Sequence, residues 1–170
     1  AAKQNDALGQ NNVGFMYDEG RGVSEDNPEA LKWFLKSAKQ GYAMGQASVG
    51  QMYLAGEVGI EKSYEQALYW ARKAAEQGDV LGQVTLGIIY DNGLGVTQDD
   101  SIAVGWYKKA AGQGDAAGQN LLGRMYFYGE GVEEDNEKAL YWAMQAADQG
   151  DASGQNHVGQ IYNEGYGVAE

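Results

Sequence analysis

Few side chains in this chain could carry out chemistry. Its 170 residues include one histidine, His157, and no cysteine. A lone imidazole can act as a general base, but only beside a nucleophile or a second acid–base group. None is evident near His157, which reads as an ordinary surface or groove histidine. Ser24, Ser37, Ser48, Ser63, Ser101 and Ser153 all lack the lysine three residues on that a penicillin-recognising serine enzyme carries. One histidine rules out the paired ligands of the metalloproteases, and the absence of cysteine rules out disulfides and thiolate metal sites. Two acidic clusters, Glu133-Glu134-Asp135 with Glu137 and Asp99-Asp100, suggest calcium. A calcium loop, however, needs alternating oxygen ligands closed by a bidentate Glu at the twelfth place, and no stretch fits. Helix capping accounts for Asp100 and Asp135 instead. The many glycines form no phosphate-cradling loop, since no Lys-Ser/Thr ending follows them. No catalytic residue, metal or cofactor is expected.

The elements that hold these residues recur. Trp33, Trp70, Trp106 and Trp142 are the only tryptophans, and Tyr17, Tyr53, Tyr90, Tyr126 and Tyr162 keep the same beat. A period of roughly 36 residues signals a stacked array of supersecondary units. Units run over 7–42, 43–79, 80–115 and 116–151, with a partial fifth over 152–170. The second unit has one extra residue in its loop, GEVGIEKSYEQA. Residues 1–6, AAKQND, match AAEQGD at 74–79 and read as the tail of a preceding unit. The chain is thus expected to be an internal piece of a longer array, the alternative being a short protein with frayed ends, and is treated as one continuous domain.

Each unit reads as helix–turn–helix. Ala7, Gln10, Val13, Met16 and Tyr17 fall at helical spacing and predict a first helix over 7–18. Gly20 and Gly22, with their counterparts, predict its end. Asp26, Asn27, Asp100, Asp135 and Asn136 offer N-caps to a second helix, 28–40 in the first unit, with Pro28 in its first turn. Ala30, Trp33, Phe34, Ser37 and Ala38 form its buried stripe, repeated by Ala103, Trp106, Tyr107, Ala110 and Ala111. Two glycines recur inside every first helix, among them Gly9 and Gly14, then Gly45 and Gly50. A glycine there costs about 0.5–1 kcal/mol relative to alanine, so its repetition predicts close backbone approach between neighbouring helices.

Net charge is −12. Residues 111–170 hold ten acids against Arg124 and Lys138, a local charge of −8. Such a field repels nucleic acid and anionic lipid and would steer a basic partner, although a solvated surface that keeps the array soluble is the plainer account. The pairs Arg72-Lys73 and Lys108-Lys109 fall near helix C-termini, where they meet the helix dipole favourably. No apolar run approaches membrane-spanning length, so direct membrane insertion is not expected.

The recurring A-x-G-Q-x-x-x-G-x-x-Y-x-x-G-x-G-V, followed by A-x-x-W-x-x-x-A-A-x-Q-G, resembles the Sel-one-like repeat family, a relative of the tetratricopeptide repeats. That family usually has Ala where this chain has Gly9, Gly45, Gly82, Gly118 and Gly154. The resemblance implies an all-α fold, a right-handed α-solenoid of antiparallel helix pairs, and no shared catalytic residues. It implies a protein–protein interaction scaffold, as in bacterial arrays serving envelope assembly, signalling or toxin immunity. A periplasmic or secreted setting is favoured by it, with a cytoplasmic one open. A basic toxin, envelope or signalling protein is the kind of partner expected. The alternatives are a hydrolase-like enzyme, which lacks a catalytic constellation here, and a passive spacer in a larger protein.

Tetratricopeptide-like geometry would point positions two, five, nine and twelve of each first helix at the partner. The candidate partner-binding residues are Leu8, Asn11, Phe15 and Asp18, then Gln51 and Leu54, Val84, Ile88 and Asp91, and Asn120, Arg124 and Phe127. Met44, Ala47, Leu81 and Ala117 hold the remaining places. Leu8, Met44 and Leu81 could equally serve only to pack adjacent units. The groove so drawn is apolar in its middle and lacks the Lys/Arg clamp expected for a peptide's terminal carboxylate. It suits an amphipathic helix or a protein loop.

Overall fold

The computed structural model describes residues 6–166. Among them are nine helices and no strand: α1 Ala7–Asp18, α2 Asn27–Lys39, α3 Ala43–Ala55, α4 Tyr64–Glu76, α5 Val80–Asp91, α6 Asp100–Gly112, α7 Ala116–Tyr128, α8 Asn136–Asp148 and α9 Ala152–Asn163. The proposed tail of a preceding unit at 1–6 lies, but for Asp6, outside the described residues, as does the end of the fifth unit beyond 166. Residues up to Leu86 form one compact unit and those from Gly87 a second, the division falling inside α5.

In the first unit α1 packs on α2, α2 on α3 and α3 on α4. Its core gathers Ala30, Phe34, Ala38, Val49, Met52, Ile60 and Trp70. In the second unit α6 packs on α7, α7 on α8, and α9 on both α8 and α7. Its cores are Ala103, Val104, Tyr107, Ala111, Leu122 and Met125, and beyond them Phe127, Ala139, Ala143 and Ile161.

Most glycines that recur inside the first helices are where helices meet, and the two kinds face different ways, although an added Cβ on Gly159 would meet nothing within 4 Å. The earlier glycine faces the preceding second helix. A Cβ on Gly45 would lie 2.7 Å from Ser37 Oγ, and one on Gly82 would lie 2.8 Å from the Ala75 amide nitrogen. Gly118 and Gly154 make the same approach to Ala111 and Ala147. The later glycine faces the second helix that follows. A Cβ on Gly14 would lie 2.5 Å from the Phe34 ring, one on Gly50 3.0 Å from the Ala71 nitrogen, and one on Gly87 2.4 Å from the Tyr107 ring. A loop glycine adds a third joint: Gly131, at φ 68°, would drive a Cβ to 2.4 Å from the Asp100 carbonyl. Neither its backbone conformation nor its space admits a side chain.

Capping corrects one detail of the sequence reading. The second helices are capped by Asp26, Ser63, Asp99 and Asp135, each side chain accepting from the amide three residues on. Asp99 therefore caps α6, while Asp100, Asn27 and Asn136 are already helical. The Asp of each QGD segment caps the first helix after it: Asp79 accepts from Gly82 N at 2.8 Å, and Asp115 and Asp151 from Gly118 N and Gly154 N at 2.6 Å. Tyr42 stands in that place before α3 and makes no such bond.

The tryptophans are less deeply buried than a core role implies. Trp70 is buried, but Trp33, Trp106 and Trp142 are half-buried. Lys36 lies over Trp33 at 3.6 Å and Lys109 over Trp106 at 3.7 Å from the ring centroids. The cation holds the indole face from outside. The residue after each tryptophan goes deeper, as Phe34, Ala71, Tyr107 and Ala143 are all buried.

Candidate functional site

The repeated side chains are committed to packing. Gln10, Gln46 and Gln119 accept hydrogen bonds at 2.7 Å from Gln40, Gln77 and Gln149, the glutamines that end the second helices. Gln46 also donates backwards to the Ala38 carbonyl at 3.2 Å. These pairs join the Gln of A-x-G-Q to the Gln of A-x-Q-G. Their recurrence, 30 or 31 residues apart in each unit, was the available signal for them.

The twelve candidate partner-binding residues divide by exposure. In the first unit Leu8 is 49% exposed, Gln51 is exposed, and Phe15, Asp18 and Leu54 are half-buried. Met44, at the same register position as Leu8, is 44% exposed. Asn11 and Val84, by contrast, are buried, and the Asn11 amide has no hydrogen-bond partner. Phe15 packs edge-on against Phe34 with centroids 5.0 Å apart. Burial first, then the charges of Glu19 and Glu25, raise the Asp18 carboxyl above its usual range. Glu57 is raised likewise by burial and by Asp18 and Glu25. That acidic corner groups no set of ligands fit for a metal ion among the described residues.

In the second unit Ile88 lies half-buried against the Tyr107 core, and Asn120 and Arg124 are half-exposed. Asp91 and Phe127 are buried. Asp91 Oδ2 accepts from Tyr107 Oη at 3.1 Å and also from Arg124 Nη2. Burial, then the Asp91 charge, push the Tyr107 phenol well above its ordinary value, so it remains a donor. The three side chains form a network in which Asp91 and Tyr107 are buried and Arg124 closes it from a half-exposed position. Asp91 and Arg124 are 33 residues apart, so spacing within one unit could not have revealed the pairing.

Beside this network, between α7 and α9, lies a hollow of about 270 Å³ lined by Asn120, Arg124, Tyr128, Ser153, Asn156, His157 and Gln160. Its floor is His157, which is only 7% exposed and is no surface histidine. The ring stands edge-on to Phe127 at 5.5 Å, and both its nitrogens lack hydrogen-bond partners. Burial, then the Arg124 guanidinium, hold its pKa below the ordinary 6.5. The folded chain therefore favours neutral imidazole, and the stability this gives is present above 6.5 and lost as the pH falls through the folded value. Arg124 Nε is likewise buried without a partner. Among the described residues no serine or acid hydrogen-bonds either His157 nitrogen, as a general-base pair would require.

A family model described as "Sel1 repeat" matches residues 7–42, 43–79, 81–115, 116–151 and 152–170. The chain belongs to the Sel1 repeat family. Among solved structures this Sel1 array is similar to c5321, a protective antigen of uropathogenic Escherichia coli displaying an SLR fold, at 36% identity and a TM-score of 0.90 over 99% of this chain and 36% of that one. It is similar to a Sel1 repeat protein of Oxalobacter formigenes at 35% identity and a TM-score of 0.90, over 99% of this chain and 67% of that one. It also resembles Helicobacter pylori cysteine rich protein B, at 26% identity and a TM-score of 0.60 over 81% of this chain and 98% of the other. The array thus spans about a third of c5321 and two thirds of the Oxalobacter protein. No match is found among proteins of curated function. The all-α repeat fold is that of the family, whose members are commonly protein-interaction scaffolds and typically not enzymes. No helix among the described residues is long and apolar enough to cross a membrane.

Proposed function

We propose that this Sel1 array is a non-catalytic scaffold that binds a protein partner through the variable residues of its first helices. One observation carries the reading: the repeated positions are taken up by packing, while apolar side chains at a non-repeating position, Leu8 and Met44, stand exposed on successive first helices. Gln51 and Leu54 extend that surface with a hydrogen-bonding amide and a further apolar contact. Exposed apolar groups with polar neighbours suit a partner helix or loop. The charge of −12 favours a basic protein over nucleic acid.

Affinity capture on the whole chain, followed by mass spectrometry and calorimetry with the purified partner, tests the reading. Replacing Leu8 and Met44 together by serine should weaken the measured affinity by at least tenfold and leave thermal unfolding nearly unchanged. A partner that binds the double variant as tightly as the parent would point to a spacer or to another surface. Turnover of a substrate with no protein retained would point to an enzyme.

A further inference from the structure

We infer that the hollow between α7 and α9 is a recognition pocket for a single carboxylate, with Arg124 as its anchor. The inference rests on the scaffold reading insofar as the carboxylate belongs to a protein partner. Its residues all lie within the second compact unit.

The first argument is the set of groups left without partners. Arg124 gives Nη2 to Asp91 and keeps Nε buried and unbonded. A guanidinium has five N–H donors in a planar fork that matches a carboxylate. Beneath it His157 is 7% exposed with neither nitrogen bonded. A buried imidazole and a buried guanidinium Nε, neither of them bonded, are costly at one hollow, and an acceptor entering it relieves that cost. Rotation about the Cβ–Cγ bond of His157 would turn an N–H toward the same acceptor.

The second argument is sign. Among the described residues no acid lines the hollow, and the one charged side chain there is a cation, in a chain of net charge −12. The amides of Asn120 and Asn156 ring the mouth. Gln160 donates to Tyr128 Oη at 2.9 Å, which ties the rim of α9 to α7. The Asp91–Tyr107 pair fixes the guanidinium from behind, so Arg124 is already oriented before a ligand arrives. With one cation partly offset by Asp91, the hollow suits one carboxylate and not a run of acids.

The test uses the full chain labelled with nitrogen-15 and carbon-13, titrated with three probes. N-acetyl-glutamate N-methylamide presents a side-chain carboxylate, N-acetyl-alanine a terminal one, and N-acetyl-glutamine N-methylamide an uncharged isostere. A carboxylate probe should give saturable shifts of Arg124 Nε–H and the His157 ring, with a dissociation constant on the order of millimolar. Whichever carboxylate shifts them more identifies the source. Arg124→Gln should abolish the His157 shifts. Because that change also unpairs Asp91, Asn156→Asp is the second variant: it leaves the core untouched, places a negative charge at the mouth and should weaken binding at least fivefold.

Equal shifts with the glutamine probe, or undiminished binding by Asn156→Asp, would overturn the inference. A purified partner that binds Arg124→Gln as tightly as the parent would also overturn it, while the scaffold reading stands. Carboxylate binding at Arg124 in a chain that retains no protein would do the reverse.

Discussion

Gly87 shows what a repeated residue does. The added Cβ would meet the ring of Tyr107, which is fully buried and has no room to retreat. Overpacking costs about 1–3 kcal/mol, more than the helix gain of about 0.5–1 kcal/mol from replacing glycine. Gly87→Ala should therefore lower the urea midpoint. Gly105, inside α6, has nothing within 4 Å of such a Cβ. Gly105→Ala should instead raise stability by about 0.5–1 kcal/mol in the same measurement. The need for close approach was legible in the sequence because the glycine recurs. What it approaches was not, because the facing residue alternates between Phe34 or Tyr107 and Ala71 or Ala143. The candidate site was less legible still. Asp91 and Arg124 each occupy a variable position and looked like free groove residues, yet they bond to each other across a repeat boundary. His157 reads from sequence as a surface or groove residue and does line a hollow, but its neighbours in sequence say nothing of its burial against Phe127.

At the scale of the helix, ends are set by single side chains. Asp99 accepts from Ile102 N at 2.9 Å, whereas the Asp100 side chain accepts only from Gln98 Nε2, at 3.0 Å. Asp99→Ala should cost about 1 kcal/mol of unfolding free energy. Asp100→Ala should cost only about 0.3 kcal/mol, the loss of an acid from the first turn. A larger loss from Asp100→Ala than from Asp99→Ala would show that α6 begins one residue later. The sequence reading put α1 at 7–18 as observed and the next helix at 28–40 against an observed Asn27–Lys39. Periodic apolar residues locate a helix well. Adjacent capping residues such as Asp99-Asp100 leave its first residue open by one, since either carboxylate could reach an amide three places on. The caps of the first helices went unread because the Asp of QGD looks like part of the preceding helix's ending.

For the whole molecule, charge is the property with the longest reach. The excess of acids is greatest in residues 111–170, at −8. At about 0.15 M salt the screening length is about 8 Å, short enough to isolate single charges but not to cancel so dense a set. The chain should pass unretained through immobilised heparin and bind a strong anion exchanger. Retention on heparin would refute the expectation that nucleic acid is no partner. The repeat phase, and hence the family, could be read along the whole chain. The division between Leu86 and Gly87 could not, because it falls inside one helix and no change of composition marks it.

The two glycine joints bear on how such a gene can change. The first helices α3, α5 and α7 each bring both halves of their coupling, one glycine for the helix behind and one for the helix ahead. Duplication or loss of a whole repeat therefore rebuilds the same joints, and unequal recombination can alter the number of copies without new packing having to evolve. The Asp91–Tyr107–Arg124 network is an exception. It draws two residues from the third repeat and one from the fourth, and a crossover between them would leave a buried carboxylate without its cation. Separating those two repeats would break the network, so their order is the part of the array that tandem duplication reshuffles at a cost.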